Sequence, residues 1–422
     1  MDIRTPHLWS EAHPSWEIIS EKEGDLQGKC IVLGVTASAA IYRSIDLART
    51  LMRIGAIVRV AMTPESTKLV SPTLFEWATG LPVVDSMTGA VEHVSLAKLC
   101  EALVVAPASL ETLSQIAGYS AKTVVSAMAQ EMLGLGKKVL VVPAMHQGMW
   151  RRSKKLVEDL RRQGVHVMNP VVEGDRAKYP PTELVAWWVE AVIARGEDYT
   201  TRKILVTAGP TREYIDPVRV VTNPSTGLMG LSLALEAKWR GAEVVLVHGP
   251  LSTRLPSEWR NYLDSVHRVT TTSEMMEKVL EVLENNSIDI ALYAAAVADY
   301  KPEQKNLEKI PSRQGSITIE LVPTPKIIAR AVKTSPQTLH IGFAAETAKT
   351  TKELLEKAKK KLQEYNLYMV VANNVSEEGA GFATETNHVY IVRRRGEPIE
   401  IPKMHKRLVA RRILDILSVI ND

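Results

Sequence analysis

Residues 204–230 carry the residue types and spacing best suited to chemistry in this chain. An apolar run at residues 204–207 predicts a buried strand, which breaks at Ala208-Gly209-Pro210 and leads into a polar, charged loop at residues 211–216. A small-residue turn, Ser225-Thr226-Gly227, then enters a helix. Backbone amides at a glycine turn and a helix N-terminus favour an anion. The pattern therefore predicts a phosphate or nucleotide site at the carboxyl edge of an α/β sheet.

Further polar groups follow two later strands of the same half. Asp299 comes after the apolar run at residues 294–298, and Lys309 lies in a polar loop at residues 301–313. Lysine, backbone amides and Mg²⁺ are the expected stabilisers of an anionic phosphoryl-transfer transition state. Taken singly, Asp299 suits a helix cap, Lys309 an exposed loop residue, and Asn223 a turn before proline. The sequence has neither the dinucleotide fingerprint nor the Walker loop.

The first half of the chain carries weaker signals. A strand ending near Gly34 is followed by small residues that enter a helix, which suits a phosphate. His93 lies in the segment VEHVSLAK, just before a predicted strand, and its side chain suits a base near neutral pH. Taken alone, it also suits a hydrogen-bonded histidine at a sheet edge. Two more strands end in the segments APAS and PAMHQGMW.

The composition is that of an ordinary soluble globular protein. The chain has 422 residues, of which 45% are hydrophobic and 24% charged, with a net charge of +4. Its basic runs are short, which favours solvated surfaces over nucleic-acid binding. The apolar runs are strand-sized and the N-terminus has no signal-peptide core, so we expect a cytoplasmic protein without a membrane span. Only two cysteines, Cys30 and Cys100, argue against a disulfide framework, and we expect both to be small buried hydrophobic residues.

Strand and helix patterns alternate in two separate series joined by the polar segment ARGEDYTTR. Continuously apolar short strands fit parallel sheets that are buried on both faces. We therefore predict an α/β protein with two doubly wound, Rossmann-like domains, the second with a mostly parallel sheet. The expected bounds are an N-terminal extension at residues 1–28, a first domain at 29–195, a linker at 196–202 and a second domain at 203–422.

The individual elements follow from the periodicity of apolar residues. The predicted strands are residues 30–35, 57–62, 103–106, 139–142, 165–168, 204–207, 244–248, 288–294, 339–342 and 369–372, with a late hairpin at 388–394 and 400–402. The predicted helices are residues 41–54, 112–116, 123–133, 153–163, 182–195, 229–240, 273–285, 327–334, 350–365 and 406–420.

The exact residues of the second half indicate a family more specifically than its strand and helix pattern does. The segments GPTREYIDPVR, NPSTGLMG, AAVADY, EKI, GFAAET and VANN resemble, in this order, the phosphopantothenate–cysteine ligase family. The resemblance implies that the carboxylate of 4′-phosphopantothenate attacks the α-phosphate of CTP in the presence of Mg²⁺ and that pyrophosphate leaves. The amine of cysteine then displaces CMP from the acyl-cytidylate. No residue is assigned to the metal.

The same resemblance implies roles for particular residues. Asn223 would orient the acyl intermediate, Asp299 would bind the nucleotide ribose or base, and Lys309 would neutralise phosphoryl charge. Leu228 and Tyr365 stand where bacterial members have lysine, so the choice between CTP and ATP stays open. The implied nucleotide-binding residues are Ala294, Ala295, Asp299, Lys309, Pro325, Lys326, Ile327, Ile328, Phe343, Lys361 and Tyr365, and the implied substrate-binding residues are Asn223, Ser225, Thr226, Gly227 and Ala296.

The first half resembles the FMN-dependent phosphopantothenoylcysteine decarboxylase family, which implies a flavodoxin-like three-layer domain. The matching segments are GVTASAA, HVSLA, APASLET and PAMHQGMW. By this resemblance the flavin oxidises the cysteinyl thiol so that the carboxylate can leave, and His93 is the catalytic histidine. The implied FMN-binding residues are Thr36, Ser38, Thr63, Ala106, Ser109 and Thr112, and Met145, His146 and Met149 would contact the substrate.

The flavin half departs from the bacterial pattern in ways that match archaeal-type members. Glu111 and His146 replace asparagines, and residues 173–178 contain no cysteine where bacterial members have a cysteine proton donor. Lys178 or His146 is a candidate for the group that reprotonates the ene-thiol.

Together the two resemblances imply a bifunctional enzyme of coenzyme A synthesis that acts on small molecules and binds neither nucleic acid nor membrane. They also imply homo-oligomers, with flavin-domain trimers and ligase dimers that a dodecamer would satisfy. Two alternatives remain open: an active ligase whose flavin half serves assembly, and a non-enzymatic regulator that binds nucleotide or flavin.

Overall fold

The computed structural model describes residues 13–312 and 315–419. Parts of three sequence predictions lie outside these residues: the first twelve residues of the extension, the end of the 301–313 loop, and the end of the 406–420 helix. The chain divides into two compact units, Met1–Gly196 and Glu197–Asp422. None of the described helices is long and apolar enough to cross a bilayer.

The first unit is built on a six-stranded parallel sheet between helical layers. Its strand order is β3-β2-β1-β4-β5-β7, and the order reverses between β1 and β4, where ligands bind in doubly wound folds. A small antiparallel sheet, β6-β9-β8, follows β5. The strands are β1 Cys30–Val35, β2 Ile57–Met62, β3 Val83–Val84, β4 Ala102–Ala108, β5 Lys138–Pro143, β6 Met145–His146, β7 Val165–Val167, β8 Val171–Glu173 and β9 Arg176–Lys178.

The helices of this unit bury their apolar faces on the sheet. Residues of β1, β4 and β5 are almost entirely enclosed, which explains their continuously apolar sequences. The helices are α1 Arg43–Arg53, α2 Pro64–Thr67, α3 Pro72–Thr79, α4 Glu92–Leu99, α5 Leu110–Ala117, α6 Val124–Gly134, α7 Gln147–Arg152, α8 Lys154–Arg162 and α9 Thr182–Arg195.

The two cysteines are joined, which corrects the expectation that they are separate buried residues. Cys30 begins β1 and Cys100 lies two residues before β4, and these strands pair in register with Ile31 opposite Ala102. This pairing brings the two Cα atoms to 4.5 Å, and a disulfide links the side chains. Two cysteines 70 residues apart in the sequence meet only because the sheet places their strands side by side.

The extension and the linker, which the sequence predicts to lie outside the two domains, both make hydrogen bonds or ion pairs with the folded parts of the chain. In the extension, the Trp16 indole donates a hydrogen bond to the carbonyl of Thr79, and Asp25 pairs with Arg195. In the expected linker, the hydroxyl of Tyr199 donates a hydrogen bond to the carbonyl of Leu414 in the second unit.

The second unit has an eight-stranded sheet in the order β14-β13-β10-β15-β18-β19-β20-β21. Six strands are parallel, and β20 and β21 form an antiparallel hairpin at one edge, as the sequence predicts. Its strands are β10 Lys203–Ala208, β13 Glu243–His248, β14 Ser265–Arg268, β15 Ile290–Tyr293, β18 Leu339–Glu346, β19 Met369–Asn374, β20 Thr386–Arg393 and β21 Ile399–His405.

Two short hairpins stand beside this sheet, and neither was predicted. The supposed loop at residues 211–216 contains the strand β11 Arg212–Tyr214, which pairs with β12 Val220–Thr222. The second hairpin pairs β16 Tyr300–Pro302 with β17 Leu321–Pro323. The helices of the unit are α10 Leu228–Trp239, α11 Thr272–Asn285, α12 Ile327–Thr334, α13 Thr351–Glu364 and α14 Lys406–Ser418. The expected class, two doubly wound α/β units with mostly parallel sheets, is confirmed.

Candidate functional site

A cavity of about 270 Å³ lies at the carboxyl edge of the second sheet. Strands β10, β15, β18 and β19 are parallel, so their carboxyl ends and the loops that follow them meet at this edge. Lining residues come from each of these strand ends and from the N-termini of three helices, α10, α12 and α14. This is the location that the sequence predicts for a nucleotide or phosphate.

The glycine turn lies in the cavity wall, and its geometry requires glycine. Gly227 has a φ of +82°, and a Cβ atom there would lie 2.2 Å from a methyl carbon of Leu251. Three residues on, a Cβ atom at Gly230 would lie 2.6 Å from the Cβ of Ala208. These glycines let α10 begin directly against the end of β10, which presents the N-terminus of the helix to the cavity.

Asn223 joins this wall to the neighbouring strand end. Its side-chain amide donates hydrogen bonds to the carbonyls of Ala296 and Val297, at 3.1 and 3.0 Å. These bonds orient the side chain, so its carbonyl oxygen is the atom left for a ligand; that oxygen has no partner within residues 13–312 and 315–419. Asn223 therefore offers an acceptor in the cavity, beside the backbone that follows β15.

The segment of residues 294–298 is held by buried threonines. The amide of Ala298 donates to the hydroxyl of Thr211 at 2.8 Å, and the amide of Ala295 donates to the hydroxyl of Thr207 at 3.2 Å. The Thr211 hydroxyl also lies 3.0 Å from that of Thr272 at the start of α11. Because these donors are satisfied inside the protein, the segment is a rigid part of the cavity wall.

Two ion pairs stand at the polar side of the cavity. The carboxylate of Asp299 lies 2.5 Å from the ammonium of Lys326, and the carboxylate of Glu346 lies 2.8 Å from that of Lys361. The hydrogen bond that Lys326 donates to the carboxylate of Asp299 raises the pKa of Lys326 above its ordinary value. A polyphosphate could replace the carboxylate partners of both lysines.

Apolar side chains also line the cavity. Those that line the cavity include Pro325, Ile327, Ile328, Phe343 and Leu367, together with Tyr365, whose pKa is raised mainly by burial. Such an apolar surface, with a few polar groups at its edge, suits the planar base of a nucleotide.

Most residues implied by the resemblance meet in this one cavity, but two do not line it. Thr226 lies within the glycine turn, where its hydroxyl accepts a hydrogen bond from the amide of Leu228. Lys309 is exposed on the loop that follows β16. That loop is attached to the turn between β11 and β12, because the amide of Ile310 donates to the buried carboxylate of Asp216 and the amide of Asn306 donates to the carbonyl of Ile215. The role of Lys309 stays a prediction.

The polar and loop residues of the cavity that the sequence reasoning missed include Asn373, Gly381, Phe382, Asn387 and Lys406. Asn373 belongs to the segment VANN, which was used only for its resemblance, and Lys406 was predicted only as the first residue of a helix. No local pattern marks the other three, because they reach the cavity from a loop and from the late hairpin.

The first unit also gathers its predicted residues at one edge of its sheet. Thr36, Thr63 and Ser109 follow the ends of the parallel strands β1, β2 and β4. The buried hydroxyl of Thr36 donates to the carbonyl of Pro107 and accepts from the amide of Ser109, and Ser109 caps α5 through the amide of Thr112. Ala106 accepts a hydrogen bond from Ser44. These bonds fix the loop that follows β4.

Two other polar groups of this edge have no partner in the described part of the chain. The hydroxyl of Thr63 belongs to a buried side chain at the start of α2, and the Nδ1 atom of His93 is enclosed. His93 lies in the first turn of α4, the helix that precedes β4, so the segment that contains it stands just before a strand, as predicted. Since α4 leads from β3 back to the amino end of β4, its first turn lies at the carboxyl edge. These atoms and the Ser38 hydroxyl suit an oxygen-rich cofactor.

The predicted substrate residues of this unit lie on and beside the small antiparallel sheet. Met145 pairs with Ala177 and His146 with Arg176. Lys178 lies two residues after Arg176 and so points to the same face as His146, at the diagonal position. The ammonium of Lys178 forms an ion pair with Glu173 across β8 and β9, and both side chains are exposed. Met149 follows on α7 and is partly exposed.

Two family models cover most of the chain. Residues 199–420 match the DNA/pantothenate metabolism flavoprotein C-terminal domain, and residues 19–193 match the flavoprotein family. The chain is also 36% identical over 404 residues to the coenzyme A biosynthesis bifunctional protein CoaBC of Thermococcus kodakarensis, which covers 94% of this chain and 97% of that protein. The chain belongs to the CoaBC family. The family expected from the motifs of both halves is thereby confirmed.

Two further similarities extend over one or both units. The CoaBC protein of Escherichia coli K12 is 33% identical over 409 residues, covering 92% of this chain and 97% of its own. A crystal structure of the C-terminal domain of a CoaBC protein has 37% identity and a TM-score of 0.43, and covers 53% of this chain and 97% of that domain.

Proposed function

We propose that this chain is a bifunctional enzyme of coenzyme A biosynthesis. Its second unit ligates cysteine to 4′-phosphopantothenate at the expense of CTP, and its first unit decarboxylates the product to 4′-phosphopantetheine with FMN. The observation that carries the ligase proposal is the meeting of Asn223, Asp299 and the glycine turn in one cavity at the carboxyl edge of the sheet. Family membership supports both activities.

In the first half-reaction a carboxylate oxygen of 4′-phosphopantothenate attacks the α-phosphorus of CTP, and pyrophosphate leaves. Negative charge grows on the phosphoryl oxygens, and the N-terminus of α10 and the ammonium groups of Lys326 and Lys361 are suited to stabilise it. Asp299 and Glu346 hold these two lysines until the triphosphate replaces them. The described residues include no group of three or more His, Cys, Asp or Glu that could hold a metal, so Mg²⁺ would enter with the triphosphate.

In the second half-reaction the amine of cysteine attacks the acyl carbon, an amide bond forms and CMP leaves. The free side-chain oxygen of Asn223 is placed to accept a hydrogen bond from the amine or the acyl intermediate. The rigid segment of residues 294–298 keeps that oxygen in position. CTP is favoured over ATP only by the family resemblance.

The flavin edge of the first unit fits FMN because the enclosed Nδ1 atom of His93 has no partner in the part of the chain that is described and the buried Thr63 side chain lies at the same edge. Thr36, Ser38, Ala106, Ser109 and Thr112 would complete the binding site. When bound, FMN would supply a reversible two-electron oxidation of the cysteinyl thiol: the oxidation allows the carboxylate to leave, and return of the same two electrons gives the thiol of the product. His93 would accept a proton from the substrate, and His146 or Lys178 would return one. Trimers of this unit and dimers of the ligase unit, combined in a dodecamer, are part of the proposal.

The full-length chain, reconstituted with FMN, is incubated with 4′-phosphopantothenate, cysteine, Mg²⁺ and either CTP or ATP, and the products are resolved by mass. We expect 4′-phosphopantothenoylcysteine, pyrophosphate and CMP, followed by loss of CO₂. Ligation without CO₂ release would restrict the function to ligation, and pyrophosphate release that does not depend on phosphopantothenate would refute the ligase. Faster turnover with ATP would refute CTP as the nucleotide.

A further inference from the structure

The cavity of the second unit has a polar end that none of the motifs assigned. Asn373 on β19, Asn387 on β20 and Lys406 at the start of α14 line it. Val371 pairs with Ile391 across these antiparallel strands, and Asn373 and Asn387 lie two and four residues from that pair. Because side chains alternate between the faces of a strand, both asparagines point to the same face of the sheet.

The partners of Asn373 determine which of its atoms faces the cavity. Its side-chain nitrogen donates a hydrogen bond of 3.0 Å to the carbonyl of Ala380. The side-chain oxygen has no partner within the described residues, although the side chain is only 9% exposed. Asn373 therefore presents a hydrogen-bond acceptor to the cavity.

Asn387 presents a hydrogen-bond donor to the cavity, whereas Asn373 presents an acceptor. Its side-chain oxygen accepts a hydrogen bond of 3.1 Å from the amide of His388, and its side-chain nitrogen has no partner in the part of the chain that the structure describes. The side chain is 5% exposed. Because this side chain lines the cavity, its amide donor is available to a ligand.

Lys406 brings a positive charge to the same end. Its ammonium donates hydrogen bonds to the carbonyls of Gly381, Phe382 and Thr384, at 2.9, 3.3 and 2.6 Å. Among the described residues no carboxylate pairs with it, and its side chain is almost completely enclosed. Burial lowers the pKa of Lys406 to about 8. The charge thus remains available to attract an anion, while its hydrogen bonds hold the loop that supplies Gly381 and Phe382 to the cavity wall.

We infer that this polar end binds the amino-acid co-substrate through its α-carboxylate and α-amine. The carboxylate accepts a hydrogen bond from the Asn387 nitrogen in the field of Lys406, and the amine donates one to the Asn373 oxygen. A phosphate has only acceptors and would be repelled by the Asn373 oxygen, and a ribose hydroxyl requires no cation. The inference rests on the proposed ligase function and names the residues that recognise its nucleophile.

This recognition also assists the reaction. The attacking amine must be uncharged, and a nearby cation without a carboxylate partner disfavours a second positive charge beside it. The cysteine ammonium gives one proton to solvent before attack and the nitrogen loses a second one when the amide forms. The acyl carbon exchanges its bond to the nucleotide phosphate oxygen for a bond to nitrogen, and CMP leaves with the electron pair of the broken bond. Lys406 would act here as a positioning residue, since all its donors are occupied by the loop.

The test compares cysteine with cysteamine, which has the same amine and thiol but no carboxylate. In the full-length protein, the ratio of kcat/KM for cysteine to kcat/KM for cysteamine measures recognition of the carboxylate. We expect Asn387→Ala to lower this ratio by about tenfold or more, since a hydrogen bond to a charged group is lost. Asn387→Asp would lower it further by charge repulsion. The ratio does not depend on the fraction of folded enzyme, so poorly folding variants remain informative.

Asn374→Ala is the matched control. Asn374 is the next residue on β19, points to the other face, and binds the backbone of Ala348 instead of lining the cavity. This variant should leave the ratio unchanged even if it lowers stability. An unchanged ratio in Asn387→Ala, with a raised KM for the nucleotide or for phosphopantothenate, would overturn the inference and assign the subsite to that substrate.

Pyrophosphate release from phosphopantothenate and nucleotide, measured without any amine, separates the two possible failures. If the wild-type protein releases none, the proposed ligase function itself fails. If it releases pyrophosphate while the variants keep the wild-type preference for cysteine, only the assignment of the polar end fails.

Discussion

The buried carboxylate of Asp216 accepts a hydrogen bond of 3.2 Å from the backbone amide of Ile310, and it thereby ties the turn between β11 and β12 to the loop that carries Lys309. Arg219 completes the connection, because its guanidinium binds both the Asp216 carboxylate and the Ile310 carbonyl. The position of the loop is therefore set by a charge that is enclosed in the protein.

The first prediction concerns the acid stability of this connection. Burial alone would raise the pKa of Asp216, but the amides of Val218, Arg219 and Ile310 and the Arg219 side chain lower it to about 2. Since the folded-state pKa lies below the ordinary value of 3.8, the stability it contributes is complete above about pH 4 and is lost as the pH falls towards 2. Asp216→Asn should lower stability at pH 7 and flatten the decline of stability between pH 4 and 2.

Urea unfolding at a series of pH values measures this difference. Exposed Glu65→Gln serves as the control and should keep the wild-type acid slope. If Asp216→Asn loses stability with falling pH as steeply as the wild-type protein, Asp216 does not bear the depressed pKa.

The second prediction concerns the disulfide. The Cys30–Cys100 bond closes a loop of 70 residues, and restricting the unfolded chain by such a loop contributes about 4 kcal/mol in the chain-entropy model. The double variant Cys30→Ala/Cys100→Ala should unfold at lower urea concentration than the oxidised wild-type protein. Thiol titration of the denatured, unreduced wild-type protein should find no free thiol, whereas two thiols per chain would contradict the bond.

The third prediction concerns Gly230. A methyl group there would lie 2.6 Å from the Cβ of Ala208 and 2.7 Å from the carbonyl oxygen of Thr207. Gly230→Ala should therefore push α10 away from β10, lower stability by about 1–3 kcal/mol and raise the KM for the nucleotide. Gly134→Ala near the end of α6 is the control, because no atom lies within 4 Å of the added carbon. Unfolding curves and initial rates measure the two effects, and equal behaviour of the two variants would count against the close approach.

The fourth prediction concerns proton return in the decarboxylase. Lys178 and His146 project from the same face of the small sheet, and the proposed function makes either of them a candidate proton donor. Replacing the true donor, by Lys178→Met or His146→Asn, should slow reprotonation by about 100-fold while CO₂ release continues. Mass spectrometry would then detect an oxidised, decarboxylated ene-thiol product. If neither variant accumulates this product, the donor lies elsewhere.

The sequence predicts best where a segment has only one way to be buried. β1 and β2 were predicted with their observed bounds because β1 is buried and apolar throughout and β2 is interrupted only by Arg59. The helix α3 was missed because eight residues with a single buried face give little periodicity, and its start is marked mainly by Ser71 before Pro72. The hairpins β11–β12 and β16–β17 were missed because three-residue strands with polar side chains resemble loops.

The residues of the candidate site also divide into those that local motifs predicted and those that only the fold brings together. Asn223 and Asp299 were found because they lie in contiguous motifs with a family resemblance, and both line the cavity. Asn387 and Lys406 were not found, because only the folding of the last hairpin against α14 brings them to β19. The disulfide was missed for the same reason: strand order, which local patterns do not contain, makes Cys30 and Cys100 neighbours.

The two adjacent asparagines of β19 have different roles. Asn373 faces the cavity, whereas Asn374 points to the other face and anchors the chain near Ala348. The pairing of β20 with β21 also shifts between Asn387 and Val389. Chemical selectivity at this end thus depends on strand alignment, and inserting or deleting one residue upstream in either strand would exchange the two faces. Such a change would abolish discrimination among nucleophiles, although the sequence would still contain every residue of the pocket.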